Sequence, residues 1–395
     1  MVPADKLNGN RAHARRTAPL SCAPGVSLQK KFAFPLVFWA GLWYGNKGAA
    51  RAATKEEGAD EQVTEVLRHS ASYVFILALG YFLKRIGVFG KQDHRVLAQV
   101  VLCVTLPAAV ITNFASMQWS SSLLLLPLLG FSLSCGMMLL GQFISRRKAP
   151  GDRALLMINC PGYNIGAFAL PFVQSYLGPE GVVAACLFDV GNAIICTGGS
   201  YAWASSVLHV GDKPLRPADV LKKLASSVPF VTYVTMLVLV MAGVRLPGAL
   251  VEFISPISAA NPFVAMLMIG AMFDLDLRPE YLRRVGQVVG IRLGAAVVFA
   301  AAMYLFLPLP PEIRQVLAVM AFAPASVISP AFTAKCGGDA GLASCINSIT
   351  ILCGVAGMLS VLMLLGVACR DTRQETDRPG ACAPRPVRLC HSPSI

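Results

Sequence analysis

An all-α, polytopic membrane fold is the class this sequence predicts: ten transmembrane helices in two inverted five-helix repeats, with broken crossing helices 4 and 9. Three observations predict it. Of 395 residues, 55% are apolar and only 14% charged, against ~25% charged in an ordinary soluble domain. A soluble core of that composition would lack the polar surface to cover itself. The apolar residues fall in runs of about 20, the length that crosses ~30 Å of hydrocarbon at 1.5 Å per helical residue. Finally, a proline-centred segment recurs on two spans that enter the bilayer from opposite faces, as inverted transporter repeats do.

Residues 1–63 read as a targeting, signal-like segment. The first 55 positions carry many Lys and Arg and one acid, Asp5. Lys30 and Lys31 then precede the apolar stretch Phe32 to Tyr44, and small residues follow around Ala50-Arg51-Ala52. That is the order of a secretory leader, and an extra membrane helix or a transit peptide would share it. Ten spans follow, at 68–85, 95–113, 121–144, 154–176, 181–209, 219–243, 252–275, 284–308, 314–335 and 341–368. The first has only Ala71 to Leu83 as its clean apolar run and relies on Arg68 and Lys84 snorkelling at its ends. Residues 64–209 form the first repeat, 210–218 a cytoplasmic linker, 219–369 the second repeat, and 370–395 an Arg- and Pro-rich disordered tail.

The formal charge of +13 could point to nucleic acid, but its basic residues lie in short blocks between spans, with no basic face interleaved with aromatics. Alternate loops carry sixteen Lys and Arg on one side and two, Arg245 and Arg314, on the other. By the positive-inside rule the rich side is cytoplasmic and both termini lie outside it. Twelve cysteines without a Cys-x-x-Cys, seven of them inside apolar runs, are read as small buried residues; Cys382 and Cys390 in the tail could pair. Five scattered histidines offer no metal site, and no cofactor is expected.

The repeat reads Pro, six residues, Gly, one residue, acid. It occurs as Pro171, Gly178 and Glu180, then as Pro330, Gly337 and Asp339, at an offset of 159 residues that continues through Ala184 with Ala343 and Cys186 with Cys345. The copies fall late in spans 4 and 9, and an odd number of spans between them forces opposite entry. Each proline removes a donor and clashes one turn back, so breaks are expected near Pro161 to Pro171 and Pro324 to Pro330. Irregular backbone at membrane depth is tolerated only where protein or a water-filled cavity satisfies it. The half-helix N-termini so made would favour an anion by about 0.3–1 kcal/mol each. A simple kink at each proline is the competing reading.

These residues resemble the auxin efflux carrier family, which includes the plant PIN-formed auxin carriers and bacterial malate and malonate carriers. The similar elements are Leu106-Pro107-Ala108, Asn164 through Gly166 and Phe168 to Pro171, Gly178 to Gly181, Phe188-Asp189 with Asn192, and Ala323-Pro324 through Pro330 to Lys335, within about residues 70–368. The resemblance implies ten helices, substrate at the crossing of helices 4 and 9, and a scaffold beside a moving transport part. Ala169 stands where the family often has Gly, the first helix is less apolar than usual, and only a short stretch, His209 to Asp219, replaces the long central loop of the long plant carriers.

Asn164 can either hydrogen-bond a carboxylate or cap an unwound turn. Gly166 and Gly162 permit close backbone approach, with helix packing the simpler role. Asn192 can bond substrate or a neighbouring helix. With Pro171, Pro324 and Pro330, Asn164, Gly166 and Asn192 make the candidate substrate site. An ionised side chain at membrane depth costs about 2.5–3.5 kcal/mol, so Asp189 and Arg292 require a reason. Either they neutralise each other, or Arg292 snorkels, or Asp189 takes a proton or cation during turnover. Lys335 and Asp274 lie at inner span ends as anchors, and Asn261-Pro262 marks a kink.

The expected function is a non-enzymatic secondary efflux carrier of small organic anions, auxin-like or dicarboxylic, working by alternating access as a multi-pass protein of the plasma membrane or endoplasmic reticulum. Its partners would be the anion, the bilayer and a second copy in a homodimer, without nucleic acid. The alternatives are a cation-coupled importer or cation/proton exchanger of related fold, a non-transporting receptor or scaffold, and an intramembrane enzyme using Asp274 and Asp276.

Overall fold

The computed structural model describes residues 57–90, 92–117, 120–210, 217–273 and 278–365. The leader-like segment to residue 56, most of the linker, Asp274 with Asp276, and the tail with Cys382 and Cys390 lie outside these. Every named element among the described residues is helical. Helix α1, Glu57–Arg85, starts well before the expected position 68. Its first half is rich in acids, and apolar sequence begins only at Ala71.

Among the described residues, six helices are each long and apolar enough to cross a bilayer: α2 (His94–Phe114), α3 (Ser121–Ser145), α6 (Gly178–Leu208), α9 (Gly248–Met272), α10 (Pro279–Phe306) and α13 (Ala340–Leu364). A seventh candidate is the pair α7 (Pro217–Ala225) and α8 (Val228–Met241), bent by 80°. The chain is an integral membrane protein by this pattern. Of the three remaining expected spans, the first falls on α1 and the other two are broken. The first broken span consists of α4 (Pro150–Asn159), an unwound stretch at 160–164, and a π-turn (Ile165–Ala169) leading into α5 (Leu170–Tyr176). The second has α11 (Pro311–Met320), an unwound stretch at 321–328, and α12 (Ser329–Lys335).

The sequence repeat coincides with these elements. Helices α5 and α12 have the same seven-residue length, each with its proline second, and both are followed by a glycine of positive φ, Gly178 at 68° and Gly337 at 75°. One expectation changes: Pro171 and Pro330 do not make the breaks. Pro330 opens the second half-helix of its span, where a missing N–H costs nothing, whereas Pro171 lies within helical backbone that already begins at Ile165. The first break instead falls at Pro161 and Gly162, whose φ of 76° is left-handed, and the second runs through Pro324.

The matched acids part company. Asp339 N-caps α13, accepting from the Leu342 N–H at 3.0 Å, and also accepts from the Tyr281 hydroxyl at 2.8 Å. The Leu342 bond first, then the tyrosine, holds its carboxyl below the usual carboxylate range. A depressed folded pKa contributes stability above the unfolded value of about 3.9 and loses it as pH falls through the folded value. Asp339→Ala should therefore cost about 1 kcal/mol near neutral pH, whereas Asp339→Asn should keep the cap and lose the acid-side fall. Thermal unfolding in detergent between pH 7 and pH 3 reads both.

Helix contacts depend on missing side chains. A β-carbon at Gly191 would lie 1.9 Å from the Pro127 carbonyl oxygen and one at Gly130 2.0 Å from that of Phe188, so α3 and α6 meet backbone to backbone. Gly80 and Gly270 do the same for α1 and α9. Small residues drive such packing in lipid, where no hydrophobic gain exists between helices. Within α9, Pro262 cannot donate to the Ser258 carbonyl, and that oxygen instead accepts from Gln174 Nε2 at 3.2 Å. Asn261 completes the joint, donating to Gln174 Oε1 at 3.1 Å and accepting from Thr105 Oγ1 at 2.9 Å. The expected kink residue thus ties α9 to α2 and α5.

Candidate functional site

The two unwound stretches meet. Tyr163 and Ala325 form an antiparallel bridge, and the Asn164 N–H donates to the Pro324 carbonyl at 3.0 Å. Neither stretch can satisfy its backbone by helical bonds, so neighbouring side chains do it. On α6, Asn192 accepts from the Tyr163 N–H at 3.0 Å and donates to the Tyr163 carbonyl at 2.7 Å. On α13, Thr350 Oγ1 accepts from the Ala325 N–H at 3.2 Å, the counterpart bond in the other break. Asn159 and Thr333, both fully buried, join the halves again at 2.9 Å.

Arg292 of α10 lies at the centre and is 6% exposed. Its Nη1 donates to the carbonyls of Asn159 (3.2 Å), Cys160 (2.5 Å) and Gly162 (3.2 Å), and its Nη2 to that of Ala323 (2.9 Å). The guanidinium also stacks over Tyr163, 5.0 Å from the ring centroid. A helix leaves its last carbonyls unpaired with partial negative charge, and here one cation serves the ends of both α4 and α11. Arg292 neither snorkels nor pairs with Asp189. Its planar fork of donors suits this task as an ammonium would not.

Asp189 is partly exposed and is held by Asn192 Nδ2 at 2.8 Å. Asn192 is 1% exposed, and its oxygen also accepts from Ser134 at 3.0 Å. Its amide is thus occupied by protein, and it positions the break and the carboxylate. Gly162 is packed so closely that a β-carbon would sit 2.9 Å from Cys196 Sγ. Gly166 lines the space beside the carboxylate: its β-carbon would lie 3.0 Å from the Tyr233 hydroxyl and 3.4 Å from Asp189 Oδ2. Tyr233, on α8, is 1% exposed, and its hydroxyl faces Gly166 and the Asp189 carboxylate.

Asn164 differs from these groups. Its backbone is bonded to Pro324, yet its partly exposed side-chain amide caps no turn and has no partner among the described residues. The capping role is therefore not realised. Pro324 is buried in the second break and Pro330 starts the half-helix after it, while Pro171 lies inside the helical backbone that begins at Ile165. Lys335 stands apart at the exposed end of α12, its ammonium 5.9 Å from the Tyr201 ring. Tyr163, Tyr233 and Thr350 escaped the sequence reading. Thr350 was accessible in principle, as a polar residue five positions past Cys345 in the repeat, but no local pattern marks Tyr233.

Among the described residues, two broken helices meet around a buried cation within a set of apolar spans, an arrangement that membrane transporters use. Comparison with known proteins agrees. Residues 66–208 match the family model described as membrane transport protein, and the resemblance to the auxin efflux carrier family stands over those residues. An uncharacterized transporter of Methanocaldococcus jannaschii is 26% identical over 223 residues, 53% of this chain and 68% of that protein. An uncharacterized transporter of Methanothermobacter thermautotrophicus is 28% identical over 130 residues, 32% of this chain and 43% of that protein. The chain thus spans less than half of the second relative's length.

Proposed function

We propose that the protein is a secondary transporter of small organic anions, with ten spans in two inverted halves and alternating access around the crossing of α4–α5 with α11–α12. The antiparallel meeting of the two breaks, with the shared length of their second half-helices, supports the inverted repeat. One observation carries the substrate class: the uncommitted Asn164 amide stands on a crossing whose buried charge, Arg292, is met only by neutral carbonyls. Unneutralised positive charge beside a free amide suits a carboxylate.

A fixed guanidinium also bears on coupling. It already bonds the carbonyls of Asn159, Cys160, Gly162 and Ala323, oxygens that a cation-coupled carrier would offer to its ion. The membrane potential suffices for export, since one negative charge moving outward gains about 2.3 kcal/mol per 100 mV, roughly a 50-fold gradient.

The test is flux of labelled indole acetate, malate and malonate in vesicles holding the full chain. Flux of at least one acid should follow an imposed potential, and Asn164→Ala should lower it about tenfold or more without changing thermal stability, as loss of a charge-assisted hydrogen bond to the substrate would. Unchanged flux and affinity in that variant would remove Asn164 from the site. Flux that ignores potential and follows a pH step would transfer the coupling role to Asp189.

A further inference from the structure

Helix α7 stands at the end of the helices rich in Lys and Arg, just before the apolar α8 and bent 80° from it. Spans tilt by about 20° on average, so a helix at that angle to one lies along the bilayer surface. One face of α7 is used by the protein: Leu224 is 4% exposed, and a β-carbon at Gly198 of α6 would lie 3.4 Å from Val220 Cγ2. Another face is not. Leu221, 66% exposed, shares a stripe with Ala218, three residues back, and Ala225, four residues on, and both of those are exposed too. An apolar stripe beside lysines on a surface helix is the pattern of an interfacial helix, whose apolar side sinks into the boundary between headgroups and acyl chains.

Several basic residues at this end are already committed to protein. Lys84 donates to the Phe273 carbonyl at 2.7 Å and Lys148 to Gln287 Oε1 at 2.9 Å, while Arg284 pairs with Asp152 at 3.1 Å and Arg278 with Glu280 at 3.9 Å. Lys222 and Lys223 of α7 and Lys335 of α12 differ. All three are exposed, and among the described residues none has a hydrogen-bond or ion-pair partner. Two of them converge from segments far apart in the chain. The Tyr201 and Phe332 rings stack with centroids 5.2 Å apart; the Lys223 ammonium lies 5.9 Å from the Phe332 centroid, and that of Lys335 5.9 Å from the Tyr201 centroid. One surface therefore carries uncommitted cations from two helices together with an exposed leucine stripe.

We propose that α7 and Lys335 form a docking surface for anionic phospholipid in the leaflet at this end. Lys222, Lys223 and Lys335 receive the charged headgroup, and the Leu221 stripe enters the acyl boundary. The cytoplasmic leaflet is the one that carries anionic lipid, and the positive-inside rule assigns α7 to it. The proposal does not depend on which solute the chain carries.

Binding of fluorescent short-chain phosphatidylserine to the purified full chain in neutral detergent tests it, with phosphatidylcholine of the same chain length as reference. Phosphatidylserine should bind saturably and more tightly than phosphatidylcholine. Each neutralised lysine should weaken binding about fivefold, so the pair Lys222→Gln with Lys223→Gln should cost about 25-fold. Leu221→Ser should also weaken it, at unchanged thermal stability, whereas the pair Arg146→Gln with Arg147→Gln, basic residues of the same end beyond α3, should change it little. Inorganic phosphate at equal concentration should not displace the lipid. Equal affinity for the two lipids, or an equal loss in the arginine pair, overturns the docking surface by making these lysines part of a general basic face. Displacement by inorganic phosphate overturns it in favour of a phosphate site. Flux of organic acids is read separately, so failure here leaves the carrier reading standing, and absence of flux leaves the docking surface standing.

Discussion

Arg292→Met should be the most damaging single substitution in the protein, unfolding it in detergent at a temperature many degrees below the wild type. The methionine fills much of the volume, so the loss is electrostatic. Four buried carbonyls, those of Asn159, Cys160, Gly162 and Ala323, lose their donor at once. Removing one partner from a buried charged arrangement costs about 3–5 kcal/mol, and each orphaned carbonyl about 1–3 kcal/mol if no water replaces the bond. Arg292→Lys should recover little, because an ammonium cannot reach both half-helix ends in one plane. A lysine variant as stable as the wild type would show that charge alone, and not the fork, holds the crossing.

Asn192→Leu should follow it in severity. Leucine is close in size, yet it strands the Tyr163 N–H, leaves the Tyr163 carbonyl with only its bond from the Ile165 N–H at 3.0 Å and the longer one from Cys196 Sγ, and releases Asp189 from its 2.8 Å bond. With one backbone group left unsatisfied, the expected loss is roughly 1–3 kcal/mol. Asn192 and Arg292 hold the same unwound stretch from opposite sides, so the double variant should lose less than the sum of the single losses. Thermal unfolding of the two single variants and the double variant measures that coupling. Full additivity would mean the two side chains act on independent elements. Flux should fall in both, even at temperatures where the proteins remain folded, because the site is built on that stretch.

Much of the helical framework was legible from composition and run length. The spans at 95–113, 121–144, 252–275, 284–308 and 341–368 each correspond to a helix of similar bounds. Hydrocarbon permits few alternatives to a helix, so local sequence decides these elements. The breaks were legible as well, since proline acts on its own backbone. Their exact location was not: Pro171 and Pro330 look the same in sequence as Pro161 and Pro324, yet only Pro161 and Pro324 lie in the unwound stretches.

The roles of the polar residues were far less legible. Arg292 and Asp189 lie at similar depths, and depth alone invites pairing them. In the folded protein Arg292 bonds carbonyls from two segments far apart in the chain, and carbonyls carry no sequence signature. Asn192 and Asn164 are the same residue type, yet one is consumed by the backbone of Tyr163 and the other remains uncommitted. Tyr233 gains meaning only from the glycine and the carboxylate it faces.

By itself the sequence determined that this chain forms apolar helices, where several of them lie, that two are interrupted, and which ends are rich in positive charge. Those properties follow from residue type, run length and the proline ring, all local. Only the tertiary structure decided that the interruptions meet in opposite directions, that one arginine serves both, and which amide stays free. Those are facts about which distant groups share a volume, and they emerge only when the backbone bonds lost at each break find partners elsewhere in the chain.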